Sequence, residues 1–589
     1  MRRSDVPVAI VLALAAASLY APTLGYDFTL WDDDSYVLAN PLIFSFDLES
    51  IRKIFSNFYM ANYSPLHLLS YVVVYAGAGA APWAYHALNV ALHAACTVLG
   101  FLLLRRTALP RFAAALGAAI FLAHPAQVEA VAWVNQTKTL LAALFGMASL
   151  LAFVRFRDQR AAGGGAMAYG ASLALFACAL LSKPQAVAFP GLFFCFERAL
   201  QNSDRRAPLV AWAPFLLLSA GGAWLTILAQ ASVGAIKAYG PLGVLGNVLA
   251  TPVVLVRYLR IALIPTDLSV MYTMAPVRVI LEPRVIGAFI ILALLAAVAW
   301  RARASGSRPW HALGVFVVPL LPVLGWVPLN IPMADRYLYP SILALSWVAA
   351  GLVGGLSTRM RAAIWIVPIL LGLLSLHRMP AWRDGESVWT TEVREHPDSP
   401  RAWIGKASYR FRIGDVAGAE ADVRRSIALD DQNHESWTNL GVYQNQEGRA
   451  DEAVEAWRRA LALEPRADWP KLLIARDLSR RGEHPEARRL LDLVLAERPN
   501  FAMAYLYRAA ARQRTGDDSG AEADIERAAA FDPFLPDAHE ALGLMREKRG
   551  DHEGARAAYV KFLEVWAGDP VRADQVRERI ERLSQPEAS

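Results

Sequence analysis

Cysteine is nearly absent: the 589 residues hold three. Cys96, Cys178 and Cys195 all fall inside apolar runs, so no disulfide framework and no CxxC metal pattern is available. Charge is also sparse, at 19% of residues. No basic stripe is interleaved with aromatics, which excludes a nucleic-acid partner. Histidines and carboxylates do not recur at metal-ligand spacing. His124 and Glu129 alone do not make a metal site; Glu129 could help hold a divalent ion, but nothing in the sequence supports one and no cofactor is assigned. Beyond His377 there is no long apolar run at all.

What the chain does have is apolar length before that point. Hydrophobic residues make up 55% of the whole. A bilayer core needs roughly 20 apolar residues per helix. Runs at 6–24, 84–104, 110–124, 138–154, 166–181, 185–198, 208–229, 285–301, 310–328, 338–356 and 361–377 predict eleven spans. The first reads as an uncleaved anchor rather than a signal peptide, because no small-residue cleavage site follows it. The run 244–264 carries Arg257 and Arg260 and is predicted to be re-entrant or interfacial.

Every second loop is basic. Arg2 and Arg3, then Arg105, Arg106 and Arg111, then Arg155, Arg157 and Arg160, then Arg205 and Arg206 set the pattern. Arg301, Arg303 and Arg308, then Arg359 and Arg361, continue it. The positive-inside rule then puts the N-terminus in and the chain beyond 380 outside. The loops holding Asp32, His124–Lys138, Lys183, Lys237, Met271–Arg284 and Asp335–Arg336 would share the external face. Within the first long loop, "LESIRKIFSNFYM" and "SPLHLLSYVVVYAG" predict short helices lying at the membrane interface.

The second half repeats itself. Gly414, Gly448, Gly482, Gly516 and Gly550 recur every 34 residues, as do Ala419, Ala453, Ala487, Ala521 and Ala555. A helical hairpin of this length, with Gly in the turn and Ala at the crossing, is the tetratricopeptide pattern. The expected organisation is a membrane domain over 1–380, a half repeat and linker over 381–400, five repeats over 401–570, and a capping helix and tail over 571–589. The fold class is all-α: a polytopic helical membrane domain followed by an α-solenoid. Such a solenoid predicts a groove for a peptide or protein; the alternative is that it only stabilises or oligomerises the chain.

"WDDDSYVLANP" puts Asp32, Asp33 and Asp34 together. Adjacent carboxylates repel, so one tends to hold a proton while another orients a hydroxyl or a cation. They could also simply cap an interfacial helix. Lys183, Arg336, Lys138 and Arg257 each lie beside apolar sequence at a predicted external edge. A charge there needs a partner, and a lipid phosphate is one; snorkelling to the headgroups is the alternative. Asp335 could pair with Arg336. Glu129 and His124 could orient an acceptor, and Pro125 suits the first turn of a helix.

Four stretches, "WDDDSYVLANP", "HPAQVEAVAWVNQTK", "LLSKPQAVAFP" and "ADRYLYPSI", followed by the repeats, resemble one family over about 1–570. It is the bacterial form of the protein O-mannosyltransferase-like proteins with transmembrane and tetratricopeptide regions, of the GT-C glycosyltransferase class. In that family the second stretch often has Arg-Lys where this chain has Thr137-Lys138. The resemblance implies an inverting transfer of sugar from a polyprenyl phosphate to protein hydroxyls at the external, periplasmic face of the bacterial inner membrane. It implies Asp32 as base with Asp33 beside it, and Lys183, Arg336, Lys138 and Arg257 at the donor phosphate. A glycolipid or polysaccharide acceptor, or a non-catalytic scaffold for envelope proteins, are the competing readings.

Overall fold

The structure is a computed structural model. It describes residues 3–107, 109–160, 163–200, 206–232, 242–275, 277–279, 281–302, 308–326, 333–353 and 357–584. Lys237, Arg205 and Arg303, which entered the topology reading, lie outside the described residues. The described residues are helical, with one isolated bridge between Tyr59 and Asn62 in place of any sheet. They form two compact units. One lies within 1–33, 46–231 and 235–388; the other lies within 34–45, 232–234 and 389–589.

In the first unit, seven described helices are long and apolar enough to cross a membrane: Arg3–Gly25, Pro82–Arg106, Val134–Arg160, Leu209–Ala231, Gly243–Leu263, Pro283–Arg301 and Arg359–Trp382. An eighth crossing is available if Arg111–Ala123 and Pro125–Ala132, bent by 54° at His124, count as one. The expected eleven are therefore corrected downward. Ala166–Leu180 is one helix of only 15 residues, and the described parts of the runs at 185–198, 310–328 and 338–356 include 3₁₀ segments or turns. Pro184–Ala188 is a 3₁₀ helix, as are Val318–Val323 and Asp335–Leu338. The apolar helices left over, such as Ala166–Leu180 and Ile342–Leu352, are short.

Two further expectations change. The segment 244–264 is one unbroken helix, Gly243–Leu263, with Pro252 inside it. Its 21 residues rise about 1.5 Å each, which matches the thickness of a bilayer core; no break marks it as re-entrant. The stretch His124–Lys138 is not an exposed loop either. It is a chain of short helices, Pro125–Gln127, Val128–Ala132 and Val134–Gln136, buried in the unit except for the half-exposed Lys138. At the opposite end, Arg105 and Arg111 converge on the buried Asp5, with Nε to Oδ1 distances of 3.4 and 3.3 Å. This holds the first and second basic segments together.

The second unit follows the 34-residue period. Helix pairs run Pro400–Arg412 with Val416–Leu429, His434–Gln446 with Ala450–Leu463, Asp468–Arg480 with His484–Glu497, Ala502–Arg514 with Asp518–Phe531, and Pro536–Lys548 with His552–Val565. Gly385–Glu395 precedes them and Pro570–Ser584 follows them. The turn glycines have φ between +81° and +87°, the left-handed region that a Cβ disfavours. The five periodic alanines are fully buried, because a larger side chain would hold the paired helices apart.

Gly441 shows how close the crossing is. A Cβ there would lie 2.8 Å from the Ala453 carbonyl oxygen and 2.4 Å from Trp457 Nε1. Gly441→Ala should therefore cost about 1–3 kcal/mol. Solenoid repeats contact mainly their neighbours. Amide exchange should accelerate across 434–463 and stay at the wild-type rate across 536–565. Unchanged protection in 434–463 would show that the crossing can relax.

Candidate functional site

The first helix ends at Gly25, and the chain then folds back on itself at Leu30, whose φ of +52° is rare for a branched side chain. Asp33 closes this turn. Its Oδ2 accepts from the Thr29 N–H at 3.0 Å and from the Thr29 hydroxyl at 2.8 Å. Its Oδ1 accepts from the Asn135 N–H at 3.0 Å. Asp33 is fully buried, and burial, opposed by the Thr29 donors, raises its pKa from the ordinary value to about 6. Three donors already occupy this carboxylate, so it acts as a clasp between the loop and the 134–160 helix.

Asp32 is different. It is partly exposed, and its Oδ2 accepts from Asn135 Nδ2 at 2.7 Å. No hydrogen bond to its Oδ1 is found among the described residues. Trp31 stacks flat on Trp133, with centroids 4.7 Å apart and planes 7° apart, and Trp133 stacks on Trp382 at 5.4 Å. This aromatic pile fixes the base of the loop.

Three of the four expected cations come together. The Arg336 N–H donates to Glu129 Oε2 at 2.8 Å, and its guanidinium donates to Glu129 Oε1. The same guanidinium lies 5.3 Å from the Trp133 ring and 5.2 Å from the Tyr337 ring. Lys183 Nζ donates to the Thr139 hydroxyl at 2.7 Å and sits 5.3 Å from the Tyr337 ring. Lys138 Nζ donates to Asn135 Oδ1 at 3.2 Å. The charges feel one another: Arg336 is influenced by Glu129 and Asp32, Lys138 by Asp32, Arg336 and Asp33, and Lys183 by Arg336, Lys138 and Glu129. Burial first, then the neighbouring cations, push Lys183 well below its usual range. Burial works against the charge on Arg336, yet Glu129 keeps that guanidinium above its ordinary value.

Arg257 stands apart. Its Nη1 donates to the Thr273 carbonyl at 3.1 Å, and it lies over the Tyr272 ring. Tyr272 in turn donates to Asp335, the neighbour of Arg336, which links Arg257 toward the cluster. His124 is committed to the backbone. Its Nδ1 accepts from the Ala126 N–H at 3.2 Å, and its Nε2 faces the Ala262 carbonyl at 3.0 Å. Its Nδ1 caps the helical turn that begins at Pro125, and its Nε2 ties that turn to Ala262. Asp34 belongs to the other unit, where it pairs with Arg412. Among the described residues no group of three or more His, Cys, Asp or Glu is placed to hold a metal ion.

Sequence reasoning missed Asn135, which contacts both aspartates and Lys138. Its signal was the polar run Asn135–Thr139 set between apolar stretches. Glu129 was expected to orient an acceptor; instead it anchors Arg336 across 207 positions of chain.

The Tetratricopeptide repeat family matches residues 445–512 in one profile, and residues 382–434 and 405–469 in another. The chain is 33% identical over 181 residues to Protein O-mannosyl-transferase Tmtc2 of Drosophila melanogaster, covering 29% of this chain and 19% of that protein. It is 31% identical over 162 residues to Protein O-mannosyl-transferase TMTC4 of Homo sapiens, covering 25% and 22%. Tetratricopeptide repeat protein 16 of Homo sapiens is 22% identical over 160 residues, covering 27% and 15%. The matches span about a fifth of the length of the two transferases. A thermophilic TPR protein of Thermus thermophilus aligns over 31% of this chain and 98% of its own, at 21% identity and a TM-score of 0.28. The resemblance drawn from the four stretches and the repeats thus meets relatives that bear the O-mannosyl-transferase name.

Thr29→Val tests the clasp. It deletes the hydroxyl that favours ionised Asp33. A raised carboxyl pKa means that this group's contribution to stability is full below the unfolded value and is lost as pH rises through about 6. The variant raises that pKa further. It should lose about 1.5–3 kcal/mol at pH 7.5, where the lost bond was to a charge, and about 0.5–1.5 kcal/mol near pH 5, where the acid is neutral. Thermal unfolding of the purified full chain at both pH values reads this difference. Equal losses would show that Asp33 does not titrate in this window.

Proposed function

We propose that the chain is an integral-membrane GT-C-type glycosyltransferase. It moves a sugar from a polyprenyl-phosphate donor to hydroxyl groups of proteins on the periplasmic side of a bacterial inner membrane, and its repeats bind the acceptor. The observation that carries this reading is the Asp32 carboxylate, with no hydrogen bond to Oδ1 among the described residues, in electrostatic reach of Lys138 and Arg336, with Lys183 beside them. Glycosyl transfer from a lipid phosphate needs these two kinds of group. The names of the curated relatives agree with it.

The acceptor oxygen attacks the anomeric carbon on the face opposite the phosphate. The bond from that carbon to the phosphate oxygen breaks, and its electron pair leaves with the phosphate. The hydroxyl proton passes to Asp32 Oδ1, which an acceptor entering beside Trp31 brings within a general base's reach. Lys183, Arg336 and Lys138 stabilise the phosphate as it gains charge. Arg257, held on Tyr272, serves the edge of that site. Asp33 holds Asp32 rather than taking the proton itself. Glu129 acts on the reaction through Arg336. The solenoid supplies the class of surface that binds extended peptides.

Asp32→Asn keeps the size and one hydrogen bond but cannot accept the proton. Turnover should fall about 10²–10⁴-fold, with donor binding retained because the cations are untouched. Purified full chain, a radiolabelled polyprenyl-phosphate sugar and a serine- and threonine-rich peptide acceptor measure both. Undiminished turnover in Asp32→Asn would remove Asp32 as the base, and no transfer by the unmodified chain would favour the scaffold reading.

A further inference from the structure

We propose that Asn135 is a positioning residue, whose carboxamide aims the Asp32 carboxylate and holds Lys138 apart from it. The inference rests on the glycosyltransferase reading above. Asn135 is fully buried in the 3₁₀ turn Val134–Gln136, directly after the Trp133 ring that stacks between Trp31 and Trp382. Its backbone is fixed too, since its N–H is bound to Asp33 Oδ1 at 3.0 Å.

The side chain has one permitted orientation. An ammonium can only donate, so Lys138 Nζ must meet Oδ1, as it does at 3.2 Å. A carboxylate can only accept, so Asp32 Oδ2 must meet Nδ2, as it does at 2.7 Å. Flipping the amide would break both bonds. The amide therefore stands between a base and a cation that would otherwise close on each other. A direct pair would occupy the proton-accepting oxygen and the phosphate-binding charge together. With the amide interposed, Asp32 Oδ2 is taken by Nδ2, while the proposed reading gives Oδ1 to the acceptor and Lys138 to the phosphate. The residue touches no reacting atom in this scheme; it acts through Asp32 and Lys138.

The test uses the full chain with the donor and peptide above, and reads kcat against pH. Asn135→Ala keeps the backbone bond to Asp33 but removes the amide. Turnover should fall on the order of 10–100-fold, the scale of a misplaced reacting group. The acid limb of the profile should move to lower pH, because Lys138 then closes on the Asp32 carboxylate and favours its charged form. Asn135→Asp is nearly isosteric and puts a second anion beside Asp32, so its limb should move the other way, to higher pH. Asp32→Asn is run in parallel. If it is inactive while both Asn135 variants keep the wild-type acid limb, the positioning role is overturned and the glycosyltransferase reading stands. If Asp32→Asn is fully active, Asp32 is not the base and the inference falls with it, whereas absence of transfer by the unmodified chain would overturn the glycosyltransferase reading itself.

Discussion

A buried carboxylate holds this site together. Asp33 is fully enclosed, and an enclosed charge is tolerable only when hydrogen-bonded. Thr29 gives two donors from the loop and Asn135 gives one from the helix that follows the broken segment. Those three bonds decide where the loop can go. With 29 and 33 clasped, residues 30–32 form a closed turn, and Leu30 is driven to positive φ. Trp31 is laid on Trp133, and Asp32 is left at the rim with one oxygen engaged. The strain at Leu30 is thus the counterpart of an ionic clasp, not an isolated oddity.

The cations depend on a second constraint, the bend at His124. A straight continuation of Arg111–Ala123 would carry Glu129 away along the helix axis. Turned by 54° and capped by the His124 ring, the chain instead presents Glu129 to the backbone and guanidinium of Arg336. Lys183 comes in at the start of Pro184–Ala188 and finds Thr139 on the same long helix as Lys138. Arg336 and Lys183 are held by partners from distant parts of the chain, Glu129 and Thr139, and Lys138 by Asn135 one turn before it. That is how three like charges are kept close in an apolar surround.

The legible parts were those written in local spacing. The 34-residue period placed all five turn glycines and all five crossing alanines, because a repeat meets the same steric demand each time. The aspartates and three cations were legible as types, since charge beside apolar sequence needs a reason. Their partners were not. Arg336 had an acidic neighbour at 335 in sequence, yet its bonds go to Glu129, and Asp335 receives Tyr272 instead. Adjacent residues on a 3₁₀ turn point in different directions, so proximity along the chain was the wrong guide. Span counting failed for a related reason: apolar composition cannot tell a crossing helix from apolar chain cut by Pro184, Pro319 or Pro322 into shorter pieces. Conversely, Arg257 and Arg260 suggested an interfacial segment, but helix Gly243–Leu263 carries both in its last two turns, where long basic side chains reach the membrane edge.

The electrostatics of the cluster also bear on when it becomes competent. Glu129 is spent on Arg336, and Asp33 on its own donors. Lys183, enclosed with Arg336 and Lys138 nearby, is left with a weakened hold on its proton. On the proposed reading, the anion that would balance it arrives with the donor. A phosphate diester brings one negative charge and leaves as a monoester with more. Stabilisation by Lys183 and its neighbours therefore grows along the reaction, which is the condition for a contact to lower a barrier rather than only tighten binding. Asp32 sits on the far side of the Asn135 amide from Lys138 and so can lose its negative charge to the acceptor's proton without taking a counter-ion from the phosphate. On the proposed reading, proton acceptance and phosphate departure are kept on separate ends of one carboxamide.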